Sequence, residues 1–448
     1  MTRAVIRLTA LVVMSAAAAS VVSCTSETRP VSAVPASAAP APPCAQGEAL
    51  GIAFDSGSAW SLCWGVDPRR GLVLTDIRFT PTGGRAVLVA KQLALAQLEV
   101  PYDTGERTTY DLTEAGFGSA KMQTLTETEC LGERIATDIP DIGDGTFGDI
   151  ERRPVLCAED LDGGIAYRSA DGPLQVDRRR EWRLSTISKV GWYEYISEYS
   201  FGSDGVIRSR LGATGDISPF DFTDHDHGAA VGEGDTAHAA SHAHNAVWRV
   251  HWALDDPGAL AVEQYDAAPT SASGTESRIL DGTLQRIPEP TTAAWVDRRW
   301  WRVVAPDVRN ADGHPISYQI ELDKSDSFVF TEDHARGGTD GYDVAFTNAD
   351  DCELLAARNS AGCGAGVPDY VAAGAGESLR DVVSWIAVGF HHVVRDEDQS
   401  PMDVHWQGFA LIPRDVTAQR VGVPDAREAV NGVPDNAWTE LDEDENGG

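Results

Sequence analysis

Short runs in which apolar and polar residues alternate recur along the chain from about residue 50, and Gly, Asp and Pro separate them. Alternation at every second position, together with many β-branched residues, favours β-strands over helices. The clearest predicted strands are residues 71–79, 85–90, 192–201, 246–254, 300–305, 316–322 and 382–390. Residues 378–385 could also begin a helix, and we interpret them as strand. Because strands do not alternate with helices and no repeat is visible, we predict an all-β protein, a large antiparallel β-sandwich spanning residues 44–415.

The N-terminal segment has the features of an export signal. Arg3 and Arg7 precede an apolar stretch, residues 8–22, which is too short to span a membrane. We therefore expect residues 1–24 to be a signal peptide that directs the chain across the cytoplasmic membrane.

Both flanks of the predicted sandwich have low-complexity composition. Residues 21–24, Val-Val-Ser-Cys, resemble a bacterial lipobox, which would make Cys24 a lipidated residue anchored at the outer face of the cell membrane. An ordinary signal peptide cleaved nearby is the alternative. Residues 25–43, rich in Pro, Ala and Ser, are predicted to form a flexible linker. Residues 416–448 end in an acidic run and are predicted to be a disordered tail.

The charge balance is strongly acidic, with 69 Asp and Glu against 36 Lys and Arg and a net charge of −33. Nucleic acids and anionic lipid surfaces bind basic proteins, so neither is expected as a partner. The charge mildly favours cationic ligands such as amines. Acidic surface that only keeps an exported protein soluble is the simpler interpretation.

The cysteines are consistent with an oxidising compartment. Of the seven, Cys24 is assigned to the lipobox, and the six others pair by proximity along the chain as Cys44–Cys63, Cys130–Cys157 and Cys352–Cys363. Six cysteines allow about 15 connectivities, so this pairing is one option among several. Such pairs persist outside the cytoplasm.

Two closely spaced histidines, His242 and His244, are the strongest candidate metal ligands. In a strand, residues i and i+2 lie on one face about 7 Å apart. A third imidazole could come from His391 or His392, of which only one can face the same side of a strand. An all-nitrogen set of this kind suits copper or zinc. The pair His225 and His227 has the same spacing but lies in a loop rich in Gly and Asp, whereas a core strand follows His244 directly.

Four aromatic residues share one face of the predicted strand 192–201. They are Tyr193, Tyr195, Tyr199 and Phe201. Taken alone, this pattern is typical of an aromatic ladder in the core of a sheet. Two other patterns receive plain structural interpretations: residues 141–149 depart from the spacing of a calcium loop and are read as a turn, and Arg178–Arg180 are read as a solvated charge cluster.

Five stretches, in this order, resemble the catalytic domain of copper-containing, quinone-dependent amine oxidases, over residues 58–415. They are residues 71–79; Val100-Pro-Tyr102 with residues 110–118; Cys130-Leu-Gly132 with Cys157; residues 191–195 with Asp204-Gly205 and Ala213-Thr-Gly215; and His242-x-His244 with residues 392–398. The order of the whole set is more specific than any single motif. The resemblance covers the catalytic domain alone, without the small N-terminal domains common in the family.

The resemblance implies roles for individual residues. His242, His244 and His392 would hold copper, and Tyr193 would be oxidised to the cofactor topaquinone. Asp111 stands at the catalytic base and Tyr102 at the phenol that hydrogen-bonds the quinone oxygen. Cys130 and Cys157 match the family's disulfide within this domain, and Met402 matches a methionine found near the copper.

The implied activity is oxidative deamination of a primary amine, with dioxygen as oxidant and aldehyde, ammonia and hydrogen peroxide as products. No unmodified side chain supplies the electrophilic carbonyl that this chemistry needs, whereas an oxidised tyrosine does. A carboxylate can then remove the proton α to nitrogen. A homodimer is expected because dimers are usual in the family.

Three positions depart from the family pattern. Trp192 replaces the Asn that precedes the modified tyrosine, and Thr109 replaces an aromatic gate, which implies a more open channel. His251 stands where a carboxylate would accompany Asp381 in a second, calcium-like site, so that site is not predicted. The alternatives to an oxidase are a degenerate, non-catalytic copper- or ligand-binding lipoprotein in which Tyr193 stays unmodified, and a purely structural envelope lipoprotein.

Overall fold

The computed structural model describes residues 44–418, apart from residues 46, 140–150, 171–173, 257, 259, 276 and 324–340. Contacts between Cα atoms divide the chain into two units, Met1–Ala36 and Ser37–Gly448, and every described residue belongs to the second. The predicted signal peptide, lipidation site, linker and turn at 141–149 lie outside the described residues, as does most of the acidic tail.

The described residues form 21 strands. The first twelve in chain order are β1 (Glu48–Ala53), β2 (Ala59–Asp67), β3 (Gly71–Thr80), β4 (Val87–Pro101), β5 (Thr108–Tyr110), β6 (Glu133–Ile139), β7 (Glu151–Ser169), β8 (Gln175–Val190), β9 (Tyr193–Gly202), β10 (Ile207–Gly215), β11 (Gly228–Val231) and β12 (Ala237–Ala240). The others are β13 (His242–Trp252), β14 (Ala261–Ser273), β15 (Arg278–Ile287), β16 (Thr291–Ala293), β17 (Trp300–Arg309), β18 (Pro315–Asp323), β19 (Val344–Asn348), β20 (Val382–His392) and β21 (Met402–Arg414).

Two large sheets hold most of these strands. The first has the order β1-β2-β3-β4-β13-β20-β19-β16, with β5 paired to β4. The second has the order β15-β14-β17-β18-β21-β10-β9-β8-β7-β6, and β11 and β12 form a separate hairpin. Every pairing between these strands is antiparallel. The prediction of a large all-β antiparallel sandwich is confirmed.

Large aromatic rings join the two sheets across the core. Trp60 of β2 lies 5.1 Å from Phe201 of β9, and Trp248 of β13 lies 5.4 Å from Phe409 of β21, measured between ring centroids. Both pairs are buried. Truncating one such ring to Ala typically costs about 3–5 kcal/mol, so these contacts fix the distance between the sheets and hence between residues carried on opposite sheets.

The first sheet is also covered on its outer face. Helix α1 (Val367–Ala373) packs there, and Tyr370 lies 5.4 Å from Trp385 of β20. This explains why β13 and β20 are buried almost continuously instead of alternating. Helix α1 was not predicted; Gly366 precedes it, and Val367 and Pro368 are its first residues. Residues 378–381 precede β20 and are not strand, so that part of the interpretation of 378–385 is wrong.

The three cysteine pairs form disulfides as predicted, Cys44–Cys63, Cys130–Cys157 and Cys352–Cys363. The Arg178–Arg180 cluster lies on the β7–β8 hairpin and pairs with neighbouring carboxylates. Among the described residues, the helices are too short and too polar to cross a bilayer.

Candidate active site

Strands β13 and β20 lie side by side near the centre of the first sheet, and their register places His242 directly opposite His392. His244 lies two residues further along β13, on the same face as His242. All three imidazoles are buried, and one nitrogen of each lies within 4.8 Å of the others. The structure therefore brings the three predicted ligands together as a group that could hold a metal ion.

Hydrogen bonds orient two of the three rings. His242 donates from Nδ1 to the carbonyl of Ala240 at 3.0 Å, and His392 donates from Nε2 to the Asp398 carboxylate at 3.0 Å. Each ring therefore directs its other nitrogen, with a lone pair, to the Tyr193 hydroxyl, which lies 2.7 Å from His242 and 3.2 Å from His392. A neutral phenol has one proton and can donate to only one of these nitrogens.

His244 has the least satisfied ring. Neither of its nitrogens has a hydrogen-bond partner among the residues that the structure describes, and a buried polar atom left in that state costs about 1–3 kcal/mol. Burial lowers the pKa of His242 to about 3 and holds the pKa of His244 well below its usual value. Both rings are therefore neutral at neutral pH, which is the form that binds metals. The donor set fits copper or zinc.

Tyr193 reaches this group from the second sheet, at the start of β9. It pairs with Gly215 of β10, whose φ of 96° and close approach to the Trp192 carbonyl exclude a side chain. Burial raises the pKa of the Tyr193 phenol far above its usual value, and the nearby Tyr102 adds to the shift. Its ring stacks on Tyr195 at 5.7 Å. The predicted aromatic ladder and the histidine site therefore share one face of β9.

Asp111 begins a π-helical turn, Asp111–Ala115, that directly follows β5. Burial raises the pKa of its carboxyl group, while hydrogen bonds from Thr109 and Tyr195 oppose the shift. The Tyr195 hydroxyl donates to Oδ2 of Asp111 at 2.8 Å. Tyr195 stacks on Tyr193, so a single side chain separates the predicted base from the predicted cofactor residue. Thr109, the predicted gate position, here binds the carboxylate.

Tyr102 covers the group on the side of β4 and β5. Its backbone forms a bridge with His242, and its ring stacks on the His242 imidazole at 4.9 Å. The Arg107 guanidinium lies 3.8 Å from the Tyr102 ring centroid, and Arg107 also pairs with Asp221 at 2.6 Å. Burial raises the pKa of Tyr102 to about 12, partly offset by Arg107. Tyr102 is therefore a neutral phenol beside the site.

The two other positions that the resemblance singled out lie at the same end of the sandwich. Trp192 occupies the turn before β9 with 45% of its surface exposed, and its carbonyl accepts a hydrogen bond from Asp216. Met402 is buried at the start of β21, opposite Gly215, and its carbonyl accepts a hydrogen bond from Thr214 at 2.7 Å.

The competing histidines lie apart from this group. His391 points outward from β20 and contacts the exposed Asp103 at 3.0 Å. His225 and His227 are exposed in the loop that precedes β11. The preference for His242 and His244 agrees with this arrangement.

Sequence reasoning missed one histidine close to the site. His405 of β21 lies 4.5 Å from His392 between ring centroids and donates to Oδ1 of Asp398 at 2.9 Å. Asp398 was noted only as part of the His392 motif. Asp398 ends a short turn and His405 lies in β21, so no single strand or helix contains both, and no pattern in the sequence indicates their contact.

Comparison with known proteins identifies the family of this chain. The sequence model of the copper amine oxidase enzyme domain matches residues 57–426. The chain belongs to the copper amine oxidase family. Histamine oxidase of Arthrobacter globiformis is 27% identical over 383 residues, which cover 80% of this chain and 55% of that protein. Primary amine oxidase of Arthrobacter sp. (strain P1) is 25% identical over 377 residues, with 79% and 57% covered.

Solved structures of copper amine oxidases share the fold. The copper-containing benzylamine oxidase of Hansenula polymorpha superposes with a TM-score of 0.68 at 24% identity, covering 82% of this chain and 60% of that one. An amine oxidase of Aspergillus nidulans gives a TM-score of 0.67 at 21% identity. The chain spans little more than half the length of the two curated Arthrobacter relatives.

Proposed function

We propose that this copper amine oxidase domain oxidatively deaminates a small primary amine. The amine, dioxygen and water would yield an aldehyde, ammonia and hydrogen peroxide. The observation that supports this most is the convergence of three buried, neutral imidazoles, His242, His244 and His392, beside one buried tyrosine, Tyr193, whose hydroxyl contacts His242 and His392. A structural sandwich would have no need of unsatisfied buried nitrogens at that point.

The roles of the histidines follow from their orientation. His242, His244 and His392 would hold copper through the nitrogens that lack backbone or carboxylate partners. Bound copper would supply the redox chemistry by which dioxygen converts Tyr193 to topaquinone, whose carbonyl reacts with primary amines. The hydrogen bonds to Ala240 and Asp398 hold the rings in place before any metal arrives.

Asp111 is the proposed base. Its burial raises the pKa of the carboxyl group, which makes it a better proton acceptor from the carbon α to the amine nitrogen. The hydroxyl groups of Thr109 and Tyr195 orient the carboxylate beside the aromatic ladder. Tyr102, a neutral phenol stacked on His242, would donate a hydrogen bond to the oxidised ring of Tyr193.

A second candidate function rests on Trp192. Where the family carries Asn, this chain has a large, half-exposed indole, and Tyr193 would then remain an ordinary tyrosine in a non-catalytic copper-binding domain. The two candidates differ in the covalent state of Tyr193 and not in metal binding.

Phenylhydrazine distinguishes the two candidates. The protein is loaded with copper under air and then treated with this reagent, which forms an intensely coloured adduct with a quinone. We expect colour in the parent and none in Tyr193→Phe. Stoichiometric copper without colour in the parent would support the non-catalytic candidate, and no bound copper would exclude both.

Asp111→Asn tests the proposed base separately from cofactor formation. The variant should keep the phenylhydrazine colour, because Tyr193 and the histidines are intact, but lose amine turnover by about 10²–10⁴-fold, the usual contribution of a general base. Peroxide release from a panel of primary amines measures turnover. Turnover equal to that of the parent would exclude Asp111 as the base.

We also propose that the protein acts at the outer face of the bacterial cell membrane, tethered through a lipid on Cys24, and that it forms a homodimer. The lipobox-like residues 21–24, the three disulfides and the acidic composition support export. Cys24→Ser should release the protein from the membrane fraction, and light scattering of the released form reports its mass.

A further inference from the structure

Asp398 is a fully buried carboxylate that accepts four hydrogen bonds. Its Oδ2 accepts from Nε2 of His392 at 3.0 Å and from the backbone N–H of Arg395 at 3.0 Å. Its Oδ1 accepts from Nε2 of His405 at 2.9 Å and from Nε of Arg395 at 3.3 Å. Each oxygen therefore has two donors, which matches its two lone pairs.

These bonds determine which nitrogen of His392 can reach the metal. Because Nε2 carries the proton that Asp398 accepts, Nδ1 is left with its lone pair and faces the Tyr193 hydroxyl. His242 is fixed differently, through the Ala240 carbonyl, so that its Nε2 faces inward. The two rings thus present opposite nitrogens, and each depends on a different acceptor.

His405 comes from the other sheet. It belongs to β21, its ring stacks on Phe390 at 5.2 Å, and it holds the Asp398 oxygen that His392 does not use. His392, Asp398 and His405 also form a group whose ligand atoms lie close enough to hold a metal ion. Hydrogen bonds of ordinary length account for that closeness, so we assign the group a role in orientation and not a second metal.

We infer that Asp398 and His405 are positioning residues that preset His392 to bind copper through Nδ1. The inference deepens the proposed function and rests on it. A carboxylate that accepts from a ligating histidine fixes the tautomer and orientation of the ring, and removing such a partner typically lowers metal affinity about 10–100-fold.

Asp398→Asn is the decisive variant because it keeps the shape and changes two acceptor positions into an N–H₂ group. In either orientation of the amide, its N–H₂ group faces two N–H donors that a carboxylate oxygen of Asp398 had accepted from. We expect copper affinity, measured against a competing chelator, to fall about 10–100-fold, and the Cu(II) EPR spectrum to change. In the copper-free protein, ¹⁵N shifts of labelled histidine should show that His392 no longer holds its proton on Nε2 alone.

Substitutions at His405 give a graded comparison. His405→Ala should weaken copper binding by a smaller factor than Asp398→Asn, since His392 keeps its acceptor. His405→Gln retains an N–H donor and should restore part of the lost affinity. A purely structural role would leave the EPR spectrum and the His392 tautomer unchanged in all three variants.

The neighbouring pair of Asp103 and His391 is a matched control. The same residue types meet at 3.0 Å, but on the surface, so Asp103→Asn and His391→Gln should change neither copper affinity nor the EPR spectrum. Parent-like affinity and tautomer in Asp398→Asn would overturn the inference while the proposed function stood. A parent that binds no copper would overturn both, and copper without quinone colour would contradict the proposed function alone.

Discussion

The two ends of strand β13 carry histidines that differ in whether charged and polar partners surround them. At its start, His242 and His244 direct neutral nitrogens into a buried space where His244 has no partner among the described residues. At its end, Nε2 of His251 lies 2.8 Å from Asp381 and 3.2 Å from the ammonium group of Lys91, which itself pairs with Asp381 at 2.6 Å. The second cluster thus contains its own cation and anion.

The difference shows how a histidine cluster that could bind an external cation can be told from one that already contains a cationic side chain. Around His251, a side-chain ammonium group pairs with the carboxylate, and both contact Nε2 of His251. Around His244, the buried imidazole nitrogens that carry a lone pair outnumber the hydrogen-bond donors from described residues that could reach them. The family's calcium-like site near Asp381 was not predicted, because His251 stands where a carboxylate would be expected, and in the structure the Lys91 ammonium group pairs with Asp381.

Removing His244, at the start of β13, should have the largest effect, because it is a proposed copper ligand. His244→Ala should abolish tight copper binding and phenylhydrazine colour, since two histidines and a phenol remain. Copper at 1,000 times its dissociation constant should stabilise the parent by about 4 kcal/mol and the variant by almost nothing, as measured by thermal unfolding with and without copper. The chelated forms of both proteins should unfold similarly, apart from the cost of a small cavity. Equal copper stabilisation in both would contradict the assignment of His244.

Removing the ammonium group of Lys91, beside His251 at the end of β13, should have a smaller effect. Lys91→Met breaks a partly exposed ion pair, and such pairs are worth about 0.2–1 kcal/mol. We expect a loss of stability of that size in urea denaturation at pH 7.5, with copper affinity and colour equal to those of the parent. Loss of copper from this variant would mean that the two ends of β13 are coupled, contrary to the comparison.

The sequence was informative where the chemistry follows local periodicity. The strand period placed His242 and His244 on one face and the aromatic ladder on one face of β9, and proximity along the chain gave the three disulfides. Contacts between segments that only the tertiary fold brings together had no such signal. His405 reaches Asp398 from the second sheet, Lys91 reaches Asp381 from β4, and α1 is a short helix whose burial depends on the sheet that it covers. The metal, quinone and base roles of the predicted residues stay predictions.

The smallest predicted effect is a change with pH in the difference in folding stability between the parent and Lys91→Met. In the parent, burial and the neighbouring Lys91 and Arg249 lower the pKa of His251, while Asp381 opposes the shift. A histidine whose folded pKa lies below the unfolded value of about 6.5 contributes stability that is complete above that value and is lost as the pH falls through the folded pKa. Without Lys91 the pKa of His251 should rise, because Asp381 remains and a repelling charge is gone. Protonated His251 then replaces the missing ammonium group. The stability difference between parent and variant should therefore be narrower at pH 5 than at pH 7.5, and a difference that widens would contradict this account of the cluster.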